Sequence, residues 1–182
     1  VQTSRIKLGT AITSVYVRTA PTLAMAAMTV DQLSEGRMIL GVGSSHRVQV
    51  EPEHGVTYTK PITRTRETVQ FVRDLMRDGV ASIRGETVRI ENFDLWFEPY
   101  RKHLPIYAAG LFQKMVETTG EIADGIILTR STLKTAAEIR PQLAAGAARA
   151  ARDAGAIQVT TLCPTAVRDD SRCLLYTSDA AD

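Results

Sequence analysis

Arg37-Met-Ile-Leu-Gly-Val-Gly-Ser-Ser-His46 is an apolar run that ends in two glycines, two hydroxyl groups and an imidazole. Its apolar residues do not alternate strictly with polar ones, which is typical of a strand covered on both faces in a parallel sheet. The glycines allow another backbone or a ligand to approach closely. Ser44, Ser45 and His46 follow where the strand leaves the core. The pattern predicts a ligand site at the end of a buried strand, with an ordinary turn as the alternative.

The composition is that of a globular domain. The chain has 182 residues, of which 44% are hydrophobic and 23% charged, so it is long enough to bury a core. A formal net charge of +2, with scattered Lys and Arg, favours no nucleic-acid partner. No apolar run reaches the length of a membrane span, so we predict none. Cys163 and Cys173 are too few for a disulfide scaffold or a zinc cluster, and we expect a cytoplasmic protein.

Both ends of the sequence predict an incomplete domain. Val1 is not an initiator methionine, and a strand signal follows almost at once. Residues 173–182, CLLYTSDAAD, match the in-frame translation of an adapter used in sequencing libraries, with a short polar tail as the alternative. We therefore expect the domain to cover residues 1–172 and the last ten residues not to be biological. Codons for residues 173–182 that do not spell the adapter would contradict this expectation.

Strand and helix signals alternate along the chain. Strands are predicted at residues 5–12, 38–43, 105–109, 125–129 and 158–167, and helices at about residues 21–35, 62–78, 113–123 and 133–154. Residues 81–98 are β-rich and aromatic and predict an inserted hairpin. An irregular stretch is predicted after His46, because Pro52 argues against a helix there.

Repeated strand and helix signals imply a parallel sheet with right-handed crossovers, either open or closed into a barrel. A dinucleotide-binding fold would have a third glycine at the position of His46 and a helix opening directly on it. A complete (β/α)8 barrel typically needs about 250 residues. We therefore predict an α/β fold that is a partial (β/α)8 barrel, truncated at both ends, with a β-hairpin inserted around residues 81–98.

Four motifs, taken in order, resemble the luciferase-like monooxygenase superfamily over about residues 4–168. They are Leu8-Gly-Thr-Ala-Ile12, Asp31-Gln-Leu-Ser-Glu-Gly-Arg37, Leu40-Gly-Val-Gly-Ser44 and Gly120-Glu-Ile-Ala-Asp-Gly125. Ser45-His-Arg47 with the later Glu51, Gly55 and Lys114-Met115 looks most like the coenzyme F420-dependent branch, which includes methylenetetrahydromethanopterin reductases. Members that depend on FMN remain close competitors.

The resemblance implies an oxidoreductase that passes a hydride between a deazaflavin, coenzyme F420, and a small organic substrate. An FMN-dependent monooxygenase is the alternative within the superfamily. A barrel relative that binds a flavin without turnover, or an inactive fragment, is the alternative from another class. The resemblance also implies a homo-oligomer for the full-length protein, while the substrate and the direction of hydride transfer stay open.

The resemblance implies that the cofactor ring lies near two strand ends. Thr10, Ala11 and Ile12 match a segment that often carries a non-prolyl cis peptide supporting the ring. Ser44 and Ser45 match further cofactor contacts. His46 is the candidate catalytic residue, because a neutral imidazole near pH 7 can donate or accept a proton. Related sugar-phosphate dehydrogenases carry a glutamate at this position, which leaves the substrate class open.

Further candidates follow the next two strands. The cofactor tail is expected at a strand end that opens a helix, because helix N-termini offer N–H groups to phosphates; these residues are Ala109, Gly110, Leu111 and Phe112. Thr129, at the same rim, is a further candidate for contact with the cofactor. Arg130 and Arg47 are candidates for pairing with a phosphate or a substrate carboxylate, with a solvated surface arginine as the alternative for Arg130. The spacing of His46, Glu51, Glu53 and His54 does not fit a helical metal motif, so no metal is predicted.

Overall fold

The computed structural model describes residues 3–129 and 131–163. Within these ranges helices connect most successive strands of the main sheet, and a short 3-10 turn at Ala154–Ala156 precedes the last strand. The elements are β1 (Leu8–Gly9), β2 (Thr13–Ser14), α1 (Ala20–Leu33), β3 (Met38–Gly43), α2 (Arg47–His54), α3 (Pro61–Asp78), β4 (Val80–Arg84), β5 (Arg89–Asp94), β6 (Ile106–Ala109), α4 (Gln113–Ile122), β7 (Gly125–Thr129), α5 (Leu133–Arg149) and β8 (Gln158–Leu162).

The main sheet is parallel and curls into half of a barrel. Its strands run in the order β1, β3, β6, β7, β8, and β2 pairs with β3 beside β1. Helix α1 packs on β3, α4 packs on β6 and β7, and α3 contacts both α1 and α4. The predicted α/β fold with a partial barrel is therefore confirmed. The predicted last strand extends to residue 167, and its final residues, like residues 173–182, lie outside the described ranges.

The strands are buried because helices cover them. Leu40, Ile106 and Ile126, on three neighbouring strands, are at most 2% exposed. A larger apolar cluster joins α1 and α3 to β3 and β6, and a smaller one lies between β7 and α5. No helix in residues 3–129 or 131–163 combines the length and the apolar character needed to cross a membrane.

The first strand is not continuous, and the prediction of one strand over residues 5–12 is wrong. β1 pairs with the start of β3 and β2 with its end, while residues 10–12 bend away between them. There the Thr10 hydroxyl donates to the Gly41 carbonyl at 2.8 Å and accepts the Gly41 N–H at 2.9 Å. A side chain thus replaces the backbone partner that Gly41 lacks at the bend. The peptide bond between Ala11 and Ile12 is cis, as the resemblance implied.

A buried carboxylate joins three parts of the chain near the start of β3. Asp31, on α1, is only 1% exposed. Its two oxygens accept hydrogen bonds from Arg101 at 2.8 and 2.9 Å, and one also accepts the Met38 N–H at 3.2 Å. Arg101 also donates to the Met38 carbonyl at 2.8 Å. The motif that begins at Asp31 therefore fixes α1, β3 and the segment before β6 relative to one another.

Residues 47–54 form helix α2, so the predicted irregular stretch is wrong there. Pro52 lies inside this helix, two residues from its end. Its missing N–H removes one backbone hydrogen bond, and the helix forms in spite of that cost. Gly55, in the left-handed region at φ 64°, ends the helix.

The inserted hairpin is confirmed as β4 and β5, which form an antiparallel sheet of their own. One carboxylate holds its turn against α3. Glu67 accepts hydrogen bonds from the backbone N–H groups of Glu86, Thr87 and Val88 at 2.7 to 2.9 Å, and from the Thr87 hydroxyl at 2.6 Å. Partial burial raises the pKa of the Glu67 carboxyl, but the hydrogen bonds from Thr87, Glu86 and Val88 outweigh burial and hold the pKa below its ordinary value.

We expect Glu67→Gln to lower the free energy of unfolding by about 1 to 2 kcal/mol, the cost of weakening hydrogen bonds to a charged acceptor. Because the folded-state pKa lies below the unfolded value of about 4.3, the stabilisation is present above that pH and is lost as the pH falls through the folded-state pKa. Urea unfolding between neutral and acidic pH should show a shallower pH dependence for the variant. Glu91→Gln, at an exposed position on the same hairpin, is the matched control, and an equal effect of both changes would contradict the prediction.

Candidate functional site

A cavity of about 660 Å³ opens at the carboxyl ends of the parallel strands. Ile12 lies at the bend before β2, Ser44 follows β3, and Ala109 and Thr129 end β6 and β7. The active sites of barrel enzymes lie on this face. A smaller cavity of about 170 Å³, near Lys102 and His103, lies at the opposite end of β6 and is small for an organic cofactor.

The structure brings most of the predicted site residues to this one cavity. Ile12, Ser44, Ser45, His46, Arg47, Ala109, Gly110, Leu111, Phe112 and Thr129 line it. Thr10 and Ala11 are not among the lining residues, and the Thr10 hydroxyl instead supports the strand behind the cavity. Arg130 lies outside the described residues. The placement agrees with the expected location, and the individual roles stay predictions.

Seven further residues line the cavity that were not predicted from the sequence, namely Tyr58, Pro61, Ile62, Gln113, Lys114, Met115 and Ile127. Lys114 and Met115 were part of the resemblance but were not assigned to the site. Ile127 lies on β7 two residues before Thr129, and the two-residue periodicity of a strand could have placed both side chains on one face. No comparable pattern marks Tyr58 or Pro61, which reach the cavity from the connection between α2 and the start of α3.

His46 stands at the point where the chain turns from β3 into α2. Its backbone carbonyl accepts the N–H groups of Gln49 and Val50 at 3.0 and 2.9 Å, so the residue begins the helix. The imidazole makes no capping hydrogen bond to the helix, and it lines the cavity from an exposed position. The imidazole is therefore open both to a bound molecule and to solvent.

The other side of the cavity is formed by the start of α4. Phe112 precedes this helix and its side chain makes no capping hydrogen bond. The Met115 N–H donates to the Phe112 carbonyl at 2.9 Å, and the N–H groups that precede it in the first turn carry the positive end of the helix dipole. Lys114, in that first turn, also lines the cavity. Backbone and side chain together favour a negatively charged group at this end.

The remaining wall of the cavity is mostly apolar. Its aliphatic lining residues are Ile12, Pro61, Ile62, Leu111, Met115 and Ile127. Leu111 and Phe112, at the rim, are 54% and 83% exposed, which leaves large apolar side chains available to a ligand. An apolar wall next to a site for anions fits a flat, largely apolar ring that carries an anionic tail. Among residues 3–129 and 131–163, His, Cys, Asp and Glu side chains form no group of three or more suited to a metal ion.

The fold and this cavity define a barrel protein with a cofactor-sized site at its strand ends. The chain belongs to the luciferase-like monooxygenase family, whose family model matches residues 1–175. The resemblance predicted from the motifs is thereby confirmed.

Two reductases are among the known proteins that the chain resembles. The chain is 30% identical over 157 residues to 5,10-methylenetetrahydromethanopterin reductase of Methanolobus tindarius, covering 86% of this chain and 47% of that protein. It is 30% identical over 169 residues to the reductase of the same name from Archaeoglobus fulgidus, covering 93% of this chain and 50% of that protein.

A solved structure agrees with the sequence relatives. The coenzyme F420 dependent tetrahydromethanopterin reductase of Methanopyrus kandleri superposes with a TM-score of 0.81 at 25% identity, over 94% of this chain and 53% of that one. The chain therefore spans about half the length of the relatives it matches.

We expect Gly41→Ala to disrupt the wall that supports the cavity. A Cβ at this position would lie 1.8 Å from the Thr10 carbonyl oxygen and 2.8 Å from Ile127, so the bend at residues 10–12 would have to move. The loss should reach about 2 to 3 kcal/mol in the free energy of unfolding, as for other overpacked sites. Chemical denaturation measures it.

Gly9→Ala is the matched control, because Gly9 pairs with the same strand and a Cβ there meets its nearest neighbour at an ordinary 3.6 Å. Its effect should stay within about 0.5 kcal/mol. Equal stability of the two variants would contradict the close approach of Thr10 to Gly41.

Proposed function

We propose that this chain forms the cofactor-binding part of an oxidoreductase that transfers a hydride between coenzyme F420 and a small organic substrate. The observation that carries the proposal is the cavity itself, where an apolar wall and the start of α4 with Lys114 meet at the strand ends. The similarity to the reductases described above favours F420 over FMN. As part of the same proposal, the whole protein acts in the cytoplasm as a homo-oligomer and binds a small molecule, without nucleic acid or membrane.

The residues that line the cavity have distinct tasks in this proposal. Ile12, Ile127 and the segment Ala109–Gly110 hold the flat ring and exclude water from one of its faces. The first turn of α4 and Lys114 hold the anionic tail. When bound, a deazaflavin or flavin ring supplies the site that accepts or donates a hydride.

His46 handles the proton that accompanies hydride transfer in this proposal. Reduction of a carbonyl or imine carbon by a hydride requires a proton on the neighbouring heteroatom, and the reverse reaction releases one. A neutral imidazole nitrogen can accept that proton, and a protonated nitrogen can donate it. Ser44 and Ser45 offer hydroxyl groups on the same side of the cavity.

An FMN-dependent monooxygenase is the second candidate, because the family named for that reaction matches nearly the whole chain. The cavity does not by itself distinguish the two cofactors, since both have a tricyclic ring and a phosphate-bearing tail. A third candidate is a barrel protein that binds a cofactor but catalyses no reaction, which distinguishes it from the two candidate enzymes. Binding measurements separate the cofactors, and turnover separates an enzyme from a binding protein.

We expect the full chain to bind F420 more tightly than FMN. Fluorescence titration measures this, with excitation at about 420 nm for F420 and at about 450 nm for FMN. Lys114→Ala should weaken binding by about 5- to 10-fold, because a charged hydrogen-bond donor to the tail is lost. Lys134→Ala, at an exposed position on α5, is the matched control and should leave the affinity unchanged. Absence of binding of either cofactor would exclude the proposed function.

We expect His46→Ala, in the full product of the gene, to lower kcat by about 100-fold or more with little change in cofactor affinity, because it removes a general acid or base rather than a binding group. Steady-state kinetics with the substrate and titration with the cofactor measure the two effects. His54→Ala, at the other end of the same helix and outside the cavity lining, is the control. Unchanged kcat in His46→Ala would remove this residue from the mechanism.

A further inference from the structure

Tyr58 is held in place from its backbone and from its ring. Its backbone N–H donates to the Glu51 carboxylate at 3.0 Å, and its carbonyl accepts from the Arg47 guanidinium at 3.2 Å. Its ring stacks on Tyr16, with centroids 4.7 Å apart and planes 24° from parallel. Helix α2 thus supplies both groups that fix the backbone of a residue lying beyond its own end.

Tyr16 is in turn fixed behind Tyr58. It is 4% exposed, and its hydroxyl donates to the Thr59 carbonyl. The Arg64 guanidinium lies 4.9 Å from its ring centroid, and Arg64 Nε donates to the Val15 carbonyl at 2.9 Å. Burial, followed by the neighbouring Tyr58, raises the pKa of Tyr16 to about 12. The stack therefore rests on a neutral, buried partner that leaves Tyr58 little freedom to move.

The hydroxyl of Tyr58 reaches the turn at the end of β3. It donates to Ser44 Oγ at 3.0 Å and lies 3.3 Å from the Ser45 carbonyl oxygen. Ser44 Oγ itself donates to that carbonyl, also at 3.3 Å. Ser45 has φ of 56°, in the left-handed region that residues with a side chain seldom adopt. Tyr58 thus contacts both the hydroxyl that faces the cavity and the strained turn that presents it.

We propose that Tyr58 is a positioning residue that makes Ser44 a hydrogen-bond donor to the ligand. Tyr58 donates to Ser44 Oγ, so the Ser44 hydroxyl keeps its own hydrogen for donation. That hydrogen makes a long bond of 3.3 Å to the Ser45 carbonyl, and it can turn from there to an acceptor on the bound molecule. The chemistry that fits is a ring carbonyl oxygen or an unprotonated ring nitrogen. The inference rests on the proposed function, because it concerns the cofactor site described above.

A double-mutant cycle in the full chain tests this role. Tyr58→Phe keeps the stack on Tyr16 and removes only the hydroxyl. We expect it to weaken binding of F420, or of FMN if that is the cofactor bound, by about 5- to 10-fold, the usual effect of losing one oriented hydrogen bond. In the Ser44→Ala background the same change should alter the affinity by less than about 2-fold, because Tyr58 acts through Ser44. Tyr100→Phe removes an exposed hydroxyl outside the cavity lining and should have no effect in either background.

The outcomes separate the inference from the proposed function. Equal losses in both backgrounds, or no loss in either, would overturn the role of Tyr58 while leaving the cofactor proposal intact. If the unaltered chain binds neither cofactor, the proposed function fails, and crystal structures of the chain and of Tyr58→Phe then decide the inference. A changed Ser44 side-chain rotamer, or a Ser45 backbone that leaves the left-handed region, would support it. An unchanged turn would overturn it.

Discussion

The paired hydrogen bonds between the Thr10 hydroxyl and the backbone of Gly41 are the constraint on which the site depends. They allow the first strand to leave the sheet at residues 10–12 and rejoin it at β2 without leaving the middle of β3 unpaired. Only a glycine admits this approach, because a side chain at residue 41 would overlap the Thr10 carbonyl. The bend brings Ile12 to the cavity, and the end of β3 delivers Ser44 to the same place. The Thr10 hydroxyl and the absence of a side chain at Gly41 thus determine the shape of the cavity wall at the bend.

Features of the fold that depend on local periodicity could be predicted from the sequence. The buried strand over residues 38–43, helix α3 and the inserted hairpin follow from apolar spacing and turn residues. The break in the first strand could not be predicted in this way, because a side chain distant in sequence satisfies the backbone there. Helix α2 could not be predicted because Pro52 indicates a break, whereas the helix forms with this proline inside it. In both places the surrounding structure, and not the local residue type, decides the conformation.

The same distinction holds for the candidate site, where some residues could be predicted from the sequence and others could not. Residues at strand ends, such as Ser44 and Thr129, could be placed because parallel strands bring their carboxyl ends to one edge of the sheet. Tyr58 could not, because it lies on an irregular connection whose path is fixed by Glu51, Arg47 and Tyr16. Asp31 belongs to one of the motifs that the family shares, but the sequence does not show what its carboxylate does. The structure shows that it forms an ion pair with Arg101. Sequence patterns therefore place the ends of strands well. Side-chain networks can be identified only once the fold is known.

The hairpin of β4 and β5 pairs only with itself, and it is tied to α3 through the Glu67 carboxylate and the edge contact of Phe71 with Phe93. None of its residues lines the cavity. Its hydrogen-bond pairing is therefore separate from that of the main sheet, although Ala81 and the apolar side chains around it pack on the larger core cluster. A change in the length of its turn would leave the register of the strands that shape the cavity as it is, provided that these apolar side chains keep their place on the core.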